Sequence, residues 1–452
     1  MSLLRSISAG LRRPPALSDT ERGLQRLHVL DTVMAGLAGL YTPEADDLRK
    51  ALLSGAIADV AGLNSAITRL SEIDDIHLLS CVTPSSVTVP TALTLVAQMP
   101  EVSPERVAQA IYAGTDLMVR FGMAVDGAHV LYRGVWPTLL VAPLGAAATA
   151  AVLFDLDEEA TAHALALALS ASTGAIGRPS EDRTGRWFLF ACAVANGVRA
   201  ADAARQGLRG DLSLLDGDWL ERTRGVRLNP EPLQSLPSKN LYSSLSQKPF
   251  CTGRQCLAAG QAFRSLIEAG LNPAAATAIR VRVPPIYAGM ISAKPDRHSR
   301  SSTLIGAPLQ LAIAALQPES CFLVDRNSIQ TDDALFRYAE RISVVPDESL
   351  QHVFPRQWPA IVEVDGPQGT IAKEVFVVRG DPADRLTEMD LMNKAHATLD
   401  AALGQATVSA WISKVGAVFH DASACGRFAK DFAAAMNSQA TNSRAAIAAT
   451  VA

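Results

Sequence analysis

The sequence predicts a mainly α-helical protein that carries a smaller α+β domain. Throughout the first 240 residues, apolar residues recur at the spacing of about 3.6 that is typical of helices. Segments that alternate apolar and polar residues become frequent only after about residue 241, and a helical pattern returns near residue 387. We therefore expect an all-helical domain that starts with 1–243, an α+β lid domain at 244–390, and a helical return at 391–452 that completes the first domain.

The first domain contains clear signals for where its helices begin. Ser18, Ser103 and Asp157 each precede a helical pattern with acidic residues in its first turn, as N-capping residues do. The segment 134–154 carries no charge across 21 positions, which is long enough to cross a bilayer. Its prolines and many small alanines favour a buried, closely packed helix instead.

The α+β domain is indicated by four segments with the alternation of half-buried strands: AIRVRV, ERISVVPD, PAIVEVDG and IAKEVFVVRGD. Asp-Gly and Gly-Asp turn signals accompany them. Two helices are expected at about 253–270 and 306–317. Together these features predict an antiparallel sheet covered by helices.

Composition excludes several classes of protein. With 48% hydrophobic and 19% charged residues, the chain has ample material for a folded core. A net charge of −4 offers no basic surplus for nucleic acid. None of the six cysteines forms a CxxC pair, and no apolar segment follows the N-terminal Arg-Arg pair. We expect a cytoplasmic protein with reduced thiols and neither a membrane nor a nucleic acid as partner.

No motif for a common cofactor is present. The sequence contains no GxGxxG after a strand, no GxxxxGK[ST] and no HExxH, and the nucleophile elbow GxSxG is missing as well. The eight histidines show no spacing typical of metal ligands. Chemistry without a metal or cofactor is therefore expected.

Seven segments in order along the chain resemble the MmgE/PrpD family, whose members include 2-methylcitrate dehydratase, cis-aconitate decarboxylase and iminodisuccinate epimerase. The resemblance implies a large helical domain, a smaller α+β lid and a homodimer. The segments are LDTVMAGLAGL (30–40), the Asp-rich stretch 64–93, the stretch 132–159, SQKPFCTGRQCLAAGQAF (246–263), RISVVPDESL, WPAIVEV and VVRGDPADRLTEMDLMNKA.

The resemblance also implies catalytic candidates. Asp74 and Asp75 keep the paired carboxylates of the family, and Lys248 keeps its lysine. His77 follows in the same loop or turn and is a candidate to replace missing imidazole function. The alternative is that the aspartates cap a helix and that the histidine lies on the surface.

Two family histidines are absent, because Thr83 precedes Pro84-Ser85 and Trp136 stands before Pro137. Tryptophan cannot exchange protons and threonine is a poor base at neutral pH, so the histidine-centred mechanism cannot be carried over. Trp136 is either a pocket wall or part of the core.

The remaining candidates are predicted to bind substrate. Arginines hold carboxylates through two parallel hydrogen bonds, and hydroxyl groups donate single ones. The alternatives are surface charge for the arginines and turn capping for the hydroxyls. The substrate-binding candidates are Thr83, Ser85, Tyr132, Arg133, Trp136, Arg186, Arg254 and Gln255.

These observations predict a cofactor-independent lyase or isomerase that abstracts a proton α to a carboxylate of a small di- or tricarboxylic acid. Dehydration ranks first, because it is the commonest role in the family. Epimerisation and decarboxylation share the first step, so residue types do not separate them. The further alternatives are a member acting on another class of substrate and a protein that only binds.

Overall fold

The computed structural model describes residues 2–13, 15–99, 101–174, 185–367, 369–419 and 422–438. Two compact units divide the chain. The first contains the described residues up to Leu245 and from Glu388 onward, and the second contains Ser246–Thr387. Helices predominate, with one small sheet of four strands, so the predicted fold class is confirmed.

The first unit is helical in its described residues. Its helices before the second unit are α1 (Leu3–Leu11), α2 (Asp19–Gly39), α3 (Pro43–Leu53), α4 (Val60–Leu70), α5 (Ser85–Val96), α6 (Pro104–Ala124), α7 (Gly127–Val130), α8 (Pro137–Leu153), α9 (Glu158–Ser170), α10 (Gly185–Arg205), α11 (Trp219–Arg224) and α12 (Glu231–Gln234).

The predicted helix starts are confirmed. The side chain of Ser18 accepts a hydrogen bond from the backbone of Glu21, and Ser103 and Asp157 cap α6 and α9 in the same way. The uncharged segment forms α8, which is buried along almost its whole length, as expected. None of the helices that the structure describes combines the length and apolarity needed to cross a bilayer.

Two glycines allow α4 to lie very close to its neighbours. A Cβ atom on Gly39 of α2 would stand 1.9 Å from the carbonyl oxygen of Ile67, and one on Gly62 would stand 2.3 Å from the carbonyl oxygen of Ala191 in α10. Neither position tolerates a larger residue without moving backbone. These close contacts hold α4 in place, and with it the start of the loop that follows α4.

The second unit combines six helices with the sheet. These elements are α13 (Arg254–Glu268), β1 (Ala278–Val283), α14 (Pro285–Ile291), α15 (Arg300–Ile305), α16 (Ala307–Leu316), α17 (Asn327–Thr331), α18 (Asp333–Ala339), β2 (Ile342–Pro346), β3 (Ala360–Gly366) and β4 (Gly369–Val375).

The sheet has the order β2-β1-β3-β4 and is mixed. The prediction of an antiparallel sheet was wrong at one pair, because β1 and β2 are parallel, with Val281 opposite Val344. The long helical connection from β1 to β2 allows the parallel pairing, and alternation looks the same in either direction. Arg280 and Arg282 face away from the buried side and form ion pairs with Glu363.

The chain returns to the first unit after the sheet. The described residues after the sheet form three helices of this unit, α19 (Glu388–Leu403), α20 (Gln405–Ala417) and α21 (Ala422–Asn437).

Candidate active site

The loop between α4 and α5 carries three of the predicted catalytic residues. Asp74, Asp75 and His77 are all buried there, with exposed fractions of 0%, 1% and 5%. A single β-bridge between His77 and Val82 closes the loop. The three side chains have different hydrogen-bond and ion-pair partners, so each is considered separately below.

Asp75 is held at the N-terminus of α5. Its carboxylate accepts hydrogen bonds from the backbone N–H of Ser85 at 3.2 Å and from the Ser85 hydroxyl at 2.5 Å. The positive end of the helix dipole favours a negative charge at this place. The structure therefore brings two predicted site residues, Asp75 and Ser85, into direct contact.

The third partner of Asp75 is His28, which the sequence analysis missed. Nδ1 of His28 lies 3.0 Å from Oδ2 of Asp75, and both side chains are buried. His28 comes from the middle of α2. It stands three residues before Asp31, so the two share one helix face, and this spacing was the available signal.

A buried ion pair lies beside this carboxylate–imidazole pair. Nζ of Lys394 in α19 donates to Oδ1 of Asp31 at 2.6 Å and to the carbonyl oxygen of Ile73 at 2.8 Å. Burial raises the pKa of Asp31, while the charge of Lys394 opposes that rise. Lys394 thus ties the loop that carries Asp75 to α2, and it too was missed from the sequence.

Asp74 belongs to a separate buried cluster. Nη1 of Arg69 lies 3.1 Å from Oδ1 of Asp74 and 2.8 Å from Oε2 of Glu72. Burial lowers the pKa of Arg69, but the two carboxylates outweigh it and hold the pKa above its usual value. This arrangement gives Asp74 a charge partner of its own, away from the His28–Asp75 pair.

His77 is a neutral imidazole at pH 7. Its Nδ1 lies 3.3 Å from the backbone N–H of Ser80, which donates to it, and 2.9 Å from the Ser80 hydroxyl. Burial and the charge of Arg120 lower the pKa of His77 to about 4, against the opposing effect of Asp75. A base with so low a pKa accepts protons only weakly.

Thr83 and Trp136, which stand where family histidines are expected, are both buried. The Thr83 hydroxyl donates to the Thr138 hydroxyl at 3.3 Å. The Trp136 ring stacks on Phe190 with ring centres 5.4 Å apart, and the guanidinium of Arg186 lies over it at 4.8 Å. Trp136 is only 5% exposed, so aromatic packing occupies this position.

Tyr132 and Arg133 lie in a short 3-10 turn before α8. Tyr132 is half-buried and Arg133 is exposed. The turn ends at Gly134, whose φ of 91° suits a residue without a Cβ atom.

The remaining candidates lie in the second unit. Lys248 and Gln255 are buried, with exposed fractions of 2% and 5%. Nη2 of Arg254 contacts both carboxylate oxygens of Asp381 at 2.8 Å. Arg254 therefore has a carboxylate partner within its own unit.

Among the residues that the structure describes, no group of three or more His, Cys, Asp or Glu side chains is placed to hold a metal ion. The chemistry that the described geometry offers is proton transfer through a carboxylate–imidazole pair, together with ion pairing.

Comparison with known proteins identifies one region. Residues 16–222 match the family model of the MmgE/PrpD N-terminal domain. The match includes α2, α4, α5 and the loop that carries Asp74 and Asp75. No curated protein matches the chain.

Proposed function

We propose that this chain, which belongs to the MmgE/PrpD family through its N-terminal domain, is a cofactor-independent lyase. Family membership supports activity of the dehydratase or lyase type in general. The specific reaction proposed is the elimination of water from a small di- or tricarboxylic acid, begun by removal of a proton α to a carboxylate. Epimerisation and decarboxylation are alternatives that begin with the same step.

The observation that carries this proposal is the buried contact between Asp75 and His28. Removing a proton next to a carboxylate requires a base whose protonation state and orientation are controlled. A carboxylate that contacts one ring nitrogen of a histidine fixes both properties at the other nitrogen. Asp75 lies in the segment matched by the family model and has this relationship to His28.

We assign supporting roles to the other predicted site residues. Lys248 is proposed to bind a carboxylate through the charge of its ammonium group, and Arg186 is proposed to bind one through the planar pairing of guanidinium and carboxylate. Asp74 is proposed to keep the loop in place through Arg69 rather than to transfer protons. His77, with its low pKa, is proposed to accept hydrogen bonds rather than to serve as an acid at neutral pH.

A second candidate function is binding without catalysis, or action on another class of substrate. The packing of Trp136 between Phe190 and Arg186 supports it, because this aromatic cluster stands where the family has a catalytic histidine. A protein of this kind would bind an acid and leave its C–H bonds intact.

Deuterium exchange distinguishes these functions. The purified protein is incubated in D₂O with citrate, 2-methylcitrate, cis-aconitate and iminodisuccinate, each followed by proton NMR. We expect deuterium to enter at a carbon next to a carboxylate, and Asp75→Asn to abolish the exchange. A new alkene signal identifies dehydration, loss of carbon dioxide identifies decarboxylation, and a stereoisomer identifies epimerisation.

The matched control is Asp126→Asn, which removes the carboxylate of an exposed Asp–His pair with Nδ1 of His129 at 2.6 Å. This variant is expected to exchange at the wild-type rate. No exchange by the wild-type protein with any of the four acids would contradict the proposed reaction and favour the binding function.

A further inference from the structure

We propose that His28 is the base of this reaction and that Asp75 positions it. The inference rests on the proposed function and names the residue that removes the proton. It places the imidazole on α2, an element that contains neither Thr83 nor Trp136.

The contact with Asp75 determines which nitrogen of His28 is basic. A carboxylate oxygen normally accepts hydrogen bonds, so we assign the proton to Nδ1 of His28 in the 3.0 Å contact. In a neutral imidazole the lone pair then lies on Nε2. The contact with Asp75 uses Nδ1 and leaves Nε2 on the opposite side of the ring, so we assign Nε2 as the atom that takes the proton.

The ring of His28 is also held in orientation. Tyr242 packs against it with ring centres 5.6 Å apart and a tilt of 42°. The Tyr242 hydroxyl accepts a hydrogen bond from Gln25 at 2.9 Å, and burial raises the pKa of Tyr242, which keeps it a neutral phenol. His28 is thus fixed on one side by Asp75 and on another by an uncharged aromatic ring.

Charged side chains lie close to His28. Asp75 contacts the ring, Asp31 stands one helical turn further along α2, and Lys394 is paired with Asp31. The imidazole therefore has one carboxylate in direct contact and a buried ion pair close by on the same helix.

The other described histidines fit the role less well. Nδ1 of His77 accepts from Ser80, and its pKa of about 4 makes it a weak base. His298 and His352 are exposed, and His129 pairs with Asp126, which is exposed. His163 pairs with Glu159, which is half exposed, and His396 pairs with Asp400, also partly exposed.

In the proposed elimination, the same imidazole takes the proton and later returns it. Nε2 of His28 takes the proton from the carbon next to the substrate carboxylate, and the C–H electron pair forms the new carbon–carbon double bond. The bond from the neighbouring carbon to its hydroxyl group breaks, and hydroxide leaves with that electron pair. The imidazolium returns its proton to the hydroxide, so water is released and neutral His28 is restored.

Chemical rescue tests this assignment. We expect His28→Ala to slow deuterium exchange at least about 100-fold, the usual contribution of a positioned base. Added imidazole is expected to restore part of the rate, with a pH dependence that follows the concentration of the free base. Such rescue also demonstrates that the variant is folded. The second substitution is His28→Asn, which we expect to exchange slowly with or without added imidazole.

The matched control is His129→Ala, which removes an exposed histidine that has its own aspartate partner. It is expected to exchange at the wild-type rate and to be unaffected by imidazole. Full exchange by His28→Ala overturns the role of His28 and leaves the proposed function standing. No exchange by the wild-type protein overturns the proposed function and the base together, so the two failures are distinguishable.

Discussion

The guanidinium carbon of Arg186 lies 4.8 Å from the centre of the Trp136 ring. Both residues come from the first unit, and both stand where the family resemblance places groups that handle substrate. Phe190 stacks on the same ring, so Trp136 contributes to the packing of this unit.

Trp136→Ala is expected to destabilise the protein by about 3–5 kcal/mol, because it removes a buried aromatic ring and leaves a cavity. The control is Trp219→Ala, which removes a half-buried ring that also has an arginine over it, Arg224 at 5.3 Å. Urea unfolding measures both. Similar losses in the two variants would mean that Trp136 is not a packed core residue.

Lys394→Met is expected to cost about 3–5 kcal/mol of folding free energy, because it leaves the buried carboxylate of Asp31 without its cation. Lys50→Met is the control, since Lys50 pairs with Asp47 on the surface and should contribute at most about 1 kcal/mol. Chemical denaturation compares them. The double variant Asp31→Asn with Lys394→Met should recover part of the loss, and the absence of any recovery would refute the ion-pair explanation.

His77 should make stability depend on pH. In the folded protein the pKa of His77 is about 4, below its usual 6.5. Between these values the unfolded chain binds a proton that the folded protein does not, so stability falls as the pH falls through this range. The loss attributable to His77 is about 3 kcal/mol.

The measurement is the free energy of unfolding at pH 7.5 and pH 4.5 for the wild type and for His77→Gln. We expect the fall in stability to be smaller in the variant, because glutamine does not titrate. The same fall in both proteins would show that His77 does not remain neutral in the folded state.

Cysteine labelling should be selective in the native protein. Cys192 is half-buried, whereas the other five cysteines are buried. Burial also raises the pKa of Cys256 to about 12 and that of Cys425 to about 11, so both stay protonated at pH 8. We expect iodoacetamide to modify Cys192 first and all six after unfolding, as mass spectrometry would detect. Early modification of Cys256 would contradict this packing.

Local features of the fold were predictable from the sequence, because they depend on neighbouring residues. The caps at Ser18, Ser103 and Asp157 follow from side chains three residues or fewer from their partners. The direction of β2 was not predictable, because it depends on the path of the helices between β1 and β2. Alternation reports which face is buried and gives no information about direction.

The candidate site was only partly predictable for a similar reason. The contact of Asp75 with Ser85 spans ten residues within one recognisable segment. The contact of Asp75 with His28 spans 47 residues, and that of Lys394 with Asp31 spans 363. Pairings over such separations depend on how α2 and α19 pack, which no local pattern reports.

The separation between Asp31 and Lys394 has a consequence for biosynthesis. During translation, α2 and the Asp75 loop are synthesised long before α19. Asp31 therefore cannot pair with Lys394 until α19 has been made. Until α19 has been synthesised, the early chain would hold that carboxylate in water or keep it protonated. Expressed separately, the N-terminal segment should therefore depend on chaperones, and a C-terminal fragment bearing Lys394 should complement it in trans.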